Sequence, residues 1–171
     1  MINYIYCPFC RGTLVHRGYE IGTYSCTDCK KKIHLNSSPA SSIFPIKDNK
    51  VLLAVRGVEP QKGKYDAIGG FLLPGEHPEK GVIRETKEET GLNILPTQLL
   101  GIYMENNYIY QGEKVEVLNL YYVGKIKSGS MIPSDDISSL HWFFIDKVPK
   151  TGFKSVDIAL IDLQKWFMSK K

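Results

Sequence analysis

The chain has 171 residues, enough for one ordinary domain or for a small module beside a compact one. Its hydrophobic fraction of 43% is that of a globular protein, and no apolar run approaches the ~20 residues of a bilayer span. The polar, cysteine-bearing start from Met1 to Arg11 lacks the apolar stretch of a secretory signal, so a cytoplasmic protein without membrane association is expected. The net charge of +4, carried partly by Arg11, Arg17, Lys30, Lys31 and Lys32, suits anionic ligands such as phosphates. It is too small to establish nucleic-acid binding.

The first 36 residues are a segment of their own, holding all four cysteines, strand-like stretches at Gly12 to His16 and Glu20 to Tyr24, and a lysine cluster. Cys7-Pro8-Phe9-Cys10 and Cys26-Thr27-Asp28-Cys29 are two C-x2-C knuckles separated by fifteen residues, a zinc-ligand spacing. Each knuckle presents two sulfurs on one side of a tight loop. A hairpin between them brings the pairs opposite one another, about 2.3 Å from a single Zn²⁺. So short a segment buries little core, and the metal would supply most of its folding free energy. Two disulfides or four unrelated thiols are the competing readings, and disulfides are disfavoured in a cytosolic chain. His16 and His34 are spare ligands by chemistry, although surface or packing roles suit them better. With cysteine at all four positions the site is closed, hence structural.

A linker is expected at Asn36-Ser37-Ser38-Pro39-Ala40-Ser41-Ser42, rich in small residues and turn formers. Mixed α/β structure follows. Ile43 to Ile46 and Val51 to Val55 form neighbouring strands around the turn Asp48-Asn49-Lys50, and Ala67 to Leu73 is a Gly-interrupted strand and loop. Pro78 to Thr90 is a helix, with Pro in its first turn and Gly91 as its stop. Leu99 to Met104, Val115 to Ile126 and Leu140 to Ile145 are further strands. Val156 to Met168 closes the chain as an amphipathic helix with Ile158, Leu160, Ile161, Leu163, Trp166 and Phe167 as its apolar surface.

The chemistry concentrates in the first helix. At about 100° per residue, Glu85, Glu88 and Glu89 share one ~100° arc. Three carboxylates so close repel one another, and the cluster is best understood as a binding site for hard cations such as Mg²⁺ or Mn²⁺. Arg84, four residues before Glu88 and beside Glu85, is placed to orient a carboxylate, while Ile83, Thr86 and Thr90 lie on another face, available to pack on the sheet. Gly69, Gly70 and Gly75 upstream let the backbone turn sharply and approach a metal or a phosphate. A solvated charged helix is the bland alternative, weakened by the long fixed spacing that joins glycines, Glu76, Arg84 and the glutamates.

That spacing resembles the Nudix box, G-x5-E-x7-R-E-U-x-E-E-x-G-U with U aliphatic. Gly70, Glu76, Arg84, Glu85, Glu88, Glu89, Gly91 and Leu92 match, eight positions over 23 residues, and Thr86 alone departs, where an aliphatic residue is usual. The resemblance implies an α/β fold, a Nudix α/β/α sandwich with a mixed sheet over residues 37–171, preceded by a zinc ribbon over 1–36. It implies metal-dependent hydrolysis of a nucleoside diphosphate linked to another moiety, giving a nucleoside monophosphate and a second phosphorylated product. Glu85, Glu88 and Glu89, with the Gly70 carbonyl, would hold Mg²⁺ or Mn²⁺, and Arg84 and Glu76 would support them. The general base would be Glu85 or Glu88, or else Asp136 or Asp135 before the Leu140 strand; a loop or helix-capping role is the alternative for that aspartate pair.

The stretch from Arg56 to Asp66 resembles the loop before the box in zinc-ribbon members that act on ADP-ribose, FAD or reduced nicotinamide dinucleotides. Arg56 and Lys64 would contact phosphate, and Tyr65 would stack on a base. Asn93 to Gln98 lacks the S-Q-P-W-P-F-P-like signature of NADH pyrophosphatases, which argues against a strict member of that group. Tyr108 and Tyr110 lie where dinucleoside polyphosphate hydrolases often place a tyrosine, although an ordinary strand or loop role is the stronger reading. The resemblance also implies a homodimer. A second class of function remains open: a nucleic-acid-binding or regulatory protein with the ribbon as reader and the larger domain as ligand sensor. A sensor could lose its glutamates; here all are present, which favours the enzyme with a small-molecule nucleotide substrate.

Overall fold

A computed structural model describes residues 4–16, 18 and 22–170 of the protein. Arg17, Glu20 and Ile21, named above for the basic excess and the second strand-like stretch, lie outside the described residues. The cysteine-bearing segment is a three-stranded antiparallel sheet of β1 (Leu14–His16), β2 (Thr23–Cys26) and β3 (Lys32–His34), with β2 in the middle. Its core is small: Cys7, Leu14, Tyr24 and Cys26, with Cys29, Ile33 and Leu35 against them. His34 bonds Thr23 and His16 packs edge-on against Tyr24, so neither histidine belongs to the thiol cluster.

The remainder is built on β4 (Ser38–Lys47), β5 (Lys50–Arg56), β6 (Tyr65–Asp66), β7 (Ile68–Phe71), α1 (Pro78–Thr90), β8 (Leu92–Tyr110), β9 (Glu113–Gly129), β10 (Ile137–Phe144) and α2 (Lys154–Met168). Five strands run β10-β5-β4-β9-β8, with β6 on β5 and β7 on β4. β4 and β9 are parallel and the other pairs antiparallel, so the sheet is mixed.

Both faces of this sheet are covered, and the strands read as continuous apolar runs for that reason. Side chains alternate between the faces. Phe44, Val51, Leu53, Tyr121 and Val123 turn to one side and pack with Val156, Ala159, Leu160 and Leu163 of α2. Ile43, Leu52, Ala54, Ile68 and Tyr122 turn to the other and pack with Val82 of α1. A helix on each face of a mixed sheet is the α/β/α sandwich expected from the sequence.

Three local expectations are corrected. The small-residue stretch expected to be a linker is mostly strand: Ser38 to Ser42 begin β4, paired with both β7 and β9. Small residues stand there because the backbones crowd, and a Cβ at Gly69 would overlap the Ser41 carbonyl and the Ser42 backbone. Second, β8 and β9 run far beyond the predicted strands, as a long hairpin turning through Gln111 and Gly112, both with positive φ. Pro96 hid this continuity, but it sits at a register shift on an edge strand, where proline is tolerated. Third, Ile83 does not pack on the sheet and is 40% exposed. The buried arc of α1 is centred on Val82 and Thr86, with Glu89 and Thr90 beside them. The Thr86 and Thr90 hydroxyls donate to the carbonyls of Val82 and Thr86, so threonine enters the core with its polar atoms satisfied.

Candidate active site

α1 begins at His77, whose ring accepts from the Glu79 N–H, and ends at Gly91 in the left-handed region. Beyond Gly91 the loop before β10 returns to the same helix end. The Ile132 and Ser134 N–H groups donate to the Thr90 and Glu89 carbonyls, two of the orphan acceptors of a helix C-terminus. This tether sets Asp135 and Asp136 beside the helix carboxylates.

Arg84 organises the helix face. Its five N–H donors meet five acceptors: both Glu76 oxygens at 2.9 and 2.8 Å, Glu85 at 2.7 Å, Glu88 at 3.0 Å and the Phe71 carbonyl at 3.2 Å. The Arg84 hydrogen bonds, with the Leu73 N–H, pull the Glu76 carboxyl down to about 2. Glu89 points inward and accepts the Gly69 N–H at 3.0 Å. Burial pushes its carboxyl well above the usual range against that bond, and Glu85, Asp66 and Asp136 push it further. The Glu85 carboxyl is also raised, chiefly by burial, with Arg84 opposing and Glu88 and Asp135 adding.

These groups border a cleft of about 260 Å³. Glu85, Glu89, Asp66, Asp135, Asp136 and Glu105 line it, against Arg56 as its one guanidinium. Such an excess of carboxylates in a partly desolvated cleft suits a divalent cation. The backbone of Gly70 comes so near the Glu85 carboxylate that a Cβ there would lie 2.7 Å from it. That gap and the hard oxygen donors fit Mg²⁺ or Mn²⁺. Arg84 and the Gly69 N–H currently hold the glutamates. Among the described residues only the four cysteines bring three or more such ligand atoms within 4.8 Å of one another.

The cysteine cluster fits zinc by distance. Cys7 and Cys29 Sγ lie 3.7 Å apart, and Cys10 and Cys26 Sγ 3.4 Å apart. Four corners of a tetrahedron with ~2.3 Å arms are separated by about 3.8 Å. Within the cluster burial raises the Cys26 thiol, but N–H groups of Cys29 and Asp28 outweigh it and bring it down to about 7. At Cys10 the Gly12 N–H is outweighed by the neighbouring thiols, which push that thiol up to about 12.

Of the residues predicted to bind substrate, Arg56 lines the cleft, bonded to the Pro60 carbonyl and Asp66 and lying over the Phe153 ring. Lys64 and Tyr65 do not line it. Lys64 is exposed, and Tyr65 packs edge-on against His141 and Phe143, because β6 pairs with β5 and turns that ring toward β10. Glu88 is half exposed and outside the lining, tied to Arg84. Asn93 to Gln98 also lies outside the lining. The part of β8 that does line the cleft is Glu105, Tyr108 and Tyr110. The aromatic wall is completed by Phe71, edge-on to both tyrosines, and Phe153, stacked on Tyr108. Sequence reasoning missed Phe71, Glu105, Asn119 and Phe153. The available signal was Phe153 itself, an aromatic at a helix N-cap where a small polar residue is usual.

The NUDIX domain family matches residues 37–163. An ADP-ribose pyrophosphatase of Methanocaldococcus jannaschii is 34% identical over 138 residues, 80% of this chain and 79% of that protein. An NAD-capped RNA hydrolase of Vibrio atlanticus is 28% identical over 145 residues; the match spans 84% of this chain and about half, 51%, of that protein. A NUDIX hydrolase from Nitrosomonas europaea superposes with a TM-score of 0.78 at 21% identity, over 97% of this chain and 92% of that one. The glutamate helix on its sandwich thus has its counterparts among known hydrolases, and the chain belongs to the Nudix family.

Proposed function

We propose that this enzyme hydrolyses the pyrophosphate of a nucleoside diphosphate linked to a second moiety, with ADP-ribose, FAD and nicotinamide dinucleotides as the substrate class. The observation that supports this is one cleft joining the Glu85 and Glu89 carboxylates to an aromatic wall. Glu85, Glu88, Glu89 and the Gly70 carbonyl would hold Mg²⁺ or Mn²⁺, which when bound would supply charge neutralisation at the pyrophosphate and a lowered pKa for the attacking water. Arg84, with Glu76 behind it, keeps the glutamates oriented. Asp136, or Asp135 beside it, takes the proton of that water; Glu85 is the competing base. Arg56 faces the phosphates, and the rings of Tyr108, Phe71 and Phe153 flank the nucleoside. Cys7, Cys10, Cys26 and Cys29 hold a structural Zn²⁺ in a ribbon over 1–36, with the Nudix domain over 37–171. A homodimer, checked by light scattering, is part of the same reading.

The test is nucleoside monophosphate release from ADP-ribose, FAD, NADH, dinucleoside polyphosphates and capped RNA, each with Mg²⁺ and with Mn²⁺. Turnover of ADP-ribose or a dinucleotide is expected; no turnover of any compound would sink the reading. A second reading, in which the ribbon grips a single-stranded RNA carrying the pyrophosphate at its end, is favoured by one feature. Tyr6 and Phe9 stand about two-thirds exposed, with the Lys31 ammonium 4.0 Å over the Phe9 ring, as in a stacking platform for bases. Preference for capped RNA that vanishes in Phe9→Ala would favour it.

A further inference from the structure

Helix α2 starts without a cap of its own. Phe153 occupies its N-cap and has no side-chain bond to offer, where a Ser, Thr, Asn or Asp would supply an acceptor. The cap comes from across the sheet: Glu105 of β8, 8% exposed, accepts the Ser155 N–H of the first helical turn at 3.1 Å. The helix dipole favours a negative charge there. A local serine or aspartate would cap the helix equally well, without burying a carboxylate fifty residues away in sequence. What the remote cap adds is position. It frees the Phe153 ring to stack on Tyr108, 5.4 Å between centroids, and it sets a carboxylate into the cleft wall. That Ser155 N–H is the only hydrogen bond made by the Glu105 carboxylate among the described residues, which leaves acceptor capacity at the cleft.

A carboxylate repels phosphate, so the part of a ligand that meets Glu105 is neutral and carries hydrogen-bond donors. In a nucleoside those are the ribose hydroxyls and the exocyclic amine of the base. We propose that Glu105 is a specificity-determining residue, its carboxylate accepting hydrogen bonds from the nucleoside while the stacked pair of Tyr108 and Phe153 offers an apolar surface beside the base. This deepens the hydrolase reading and uses the same cleft, but it concerns the β8 and α2 end of the lining, Glu105, Tyr108 and Phe153.

Adenosine, neutral and free of phosphate, probes that end without metal or turnover, so the outcome is independent of whether hydrolysis is found. Binding of adenosine, 2′-deoxyadenosine, 3′-deoxyadenosine and inosine is measured by NMR titration to wild type and to Glu105→Gln. The glutamine keeps an acceptor for the Ser155 N–H, and the wild-type spectrum of α2 identifies a folded variant. Adenosine is expected to bind wild type about ten-fold more tightly than Glu105→Gln. One of the three analogues should lose a similar factor with wild type and little with the variant, which identifies the hydroxyl or amine that Glu105 accepts from. Equal adenosine affinity for the two proteins, an analogue penalty unchanged by the substitution, or no adenosine binding to wild type would overturn the proposal and leave Glu105 as a helix cap alone. Should Glu105→Gln fail to fold, Glu105→Asp replaces it, with the same coupling required.

Discussion

The residues around α1 divide into those whose charge is compensated and those left in excess. Arg84 satisfies Glu76 completely and shares Glu85 and Glu88, whereas Glu89 has one N–H for a buried carboxylate. Glutamine at position 89 keeps an acceptor for the Gly69 N–H while removing a charge that burial penalises. Glu89→Gln should therefore lower kcat by about 100-fold or more and leave the melting temperature unchanged or higher. Retained turnover would remove Glu89 from the proposed ligand set. Asp66 gives a pH signature that stability measurements can read. Burial, outweighing Arg56 and the Ala67 N–H, lifts its carboxyl from 3.8 to about 6. The folded state then holds this proton where the unfolded state has released it. The associated stability is full below pH 3.8 and is lost as pH rises through 6. Asp66→Asn should abolish that part of the slope in denaturant unfolding between those two values; an unchanged slope would assign it elsewhere.

Among the elements, α1 and the cysteine hairpin were the most legible, for related reasons. Proline at the first turn, glycine in the left-handed region at Gly91 and a fixed glutamate spacing are local signals, and the helix runs from Pro78 to Thr90 as expected. The two knuckles are equally local. Their segment has so small a core that a zinc ion held by the four thiols would supply most of its stability. A zinc chelator, or Cys26→Ser, should unfold the 4–36 segment and release its β2 amides to rapid hydrogen exchange while the amides of β4 and β5 stay protected. Retained β2 protection without metal would show that hydrogen bonds and packing suffice. The long β8–β9 hairpin and the start of β4 were not legible. A proline inside β8 and four serines near β4 carry turn-like propensities, and only the pairing of β4 between β7 and β9 overrides them.

In the whole molecule, the larger apolar core lies on the α2 side of the sheet, and the cleft joins the two sides. Its lining reaches from the α1 carboxylates Glu85 and Glu89 to Phe153, Ser155 and Val156 at the start of α2. Leu163, fully buried on α2 and outside the cleft, should tolerate no truncation cheaply. Leu163→Ala is expected to cost about 2–5 kcal/mol in denaturant unfolding, with activity per folded molecule unchanged. A matching loss of kcat would show that the core on this face sets the cleft geometry.

The sequence by itself determined what depends on neighbours along the chain: the cysteine knuckles, the α1 boundaries, the glutamate arc with Arg84, and the continuous apolar strand runs that require a sheet covered on both faces. Tertiary structure alone decided which residues meet at the cleft. Tyr65 turned to His141 and Phe143, away from it, whereas Glu105, Tyr108 and Phe153 converged on it from positions up to 48 residues apart. No local rule encodes that convergence, because the faces to which side chains point follow from strand register, bulges and the docking of α2. The Glu105 cap shows the reason in one contact: its meaning exists only once β8 and the first turn of α2 lie side by side.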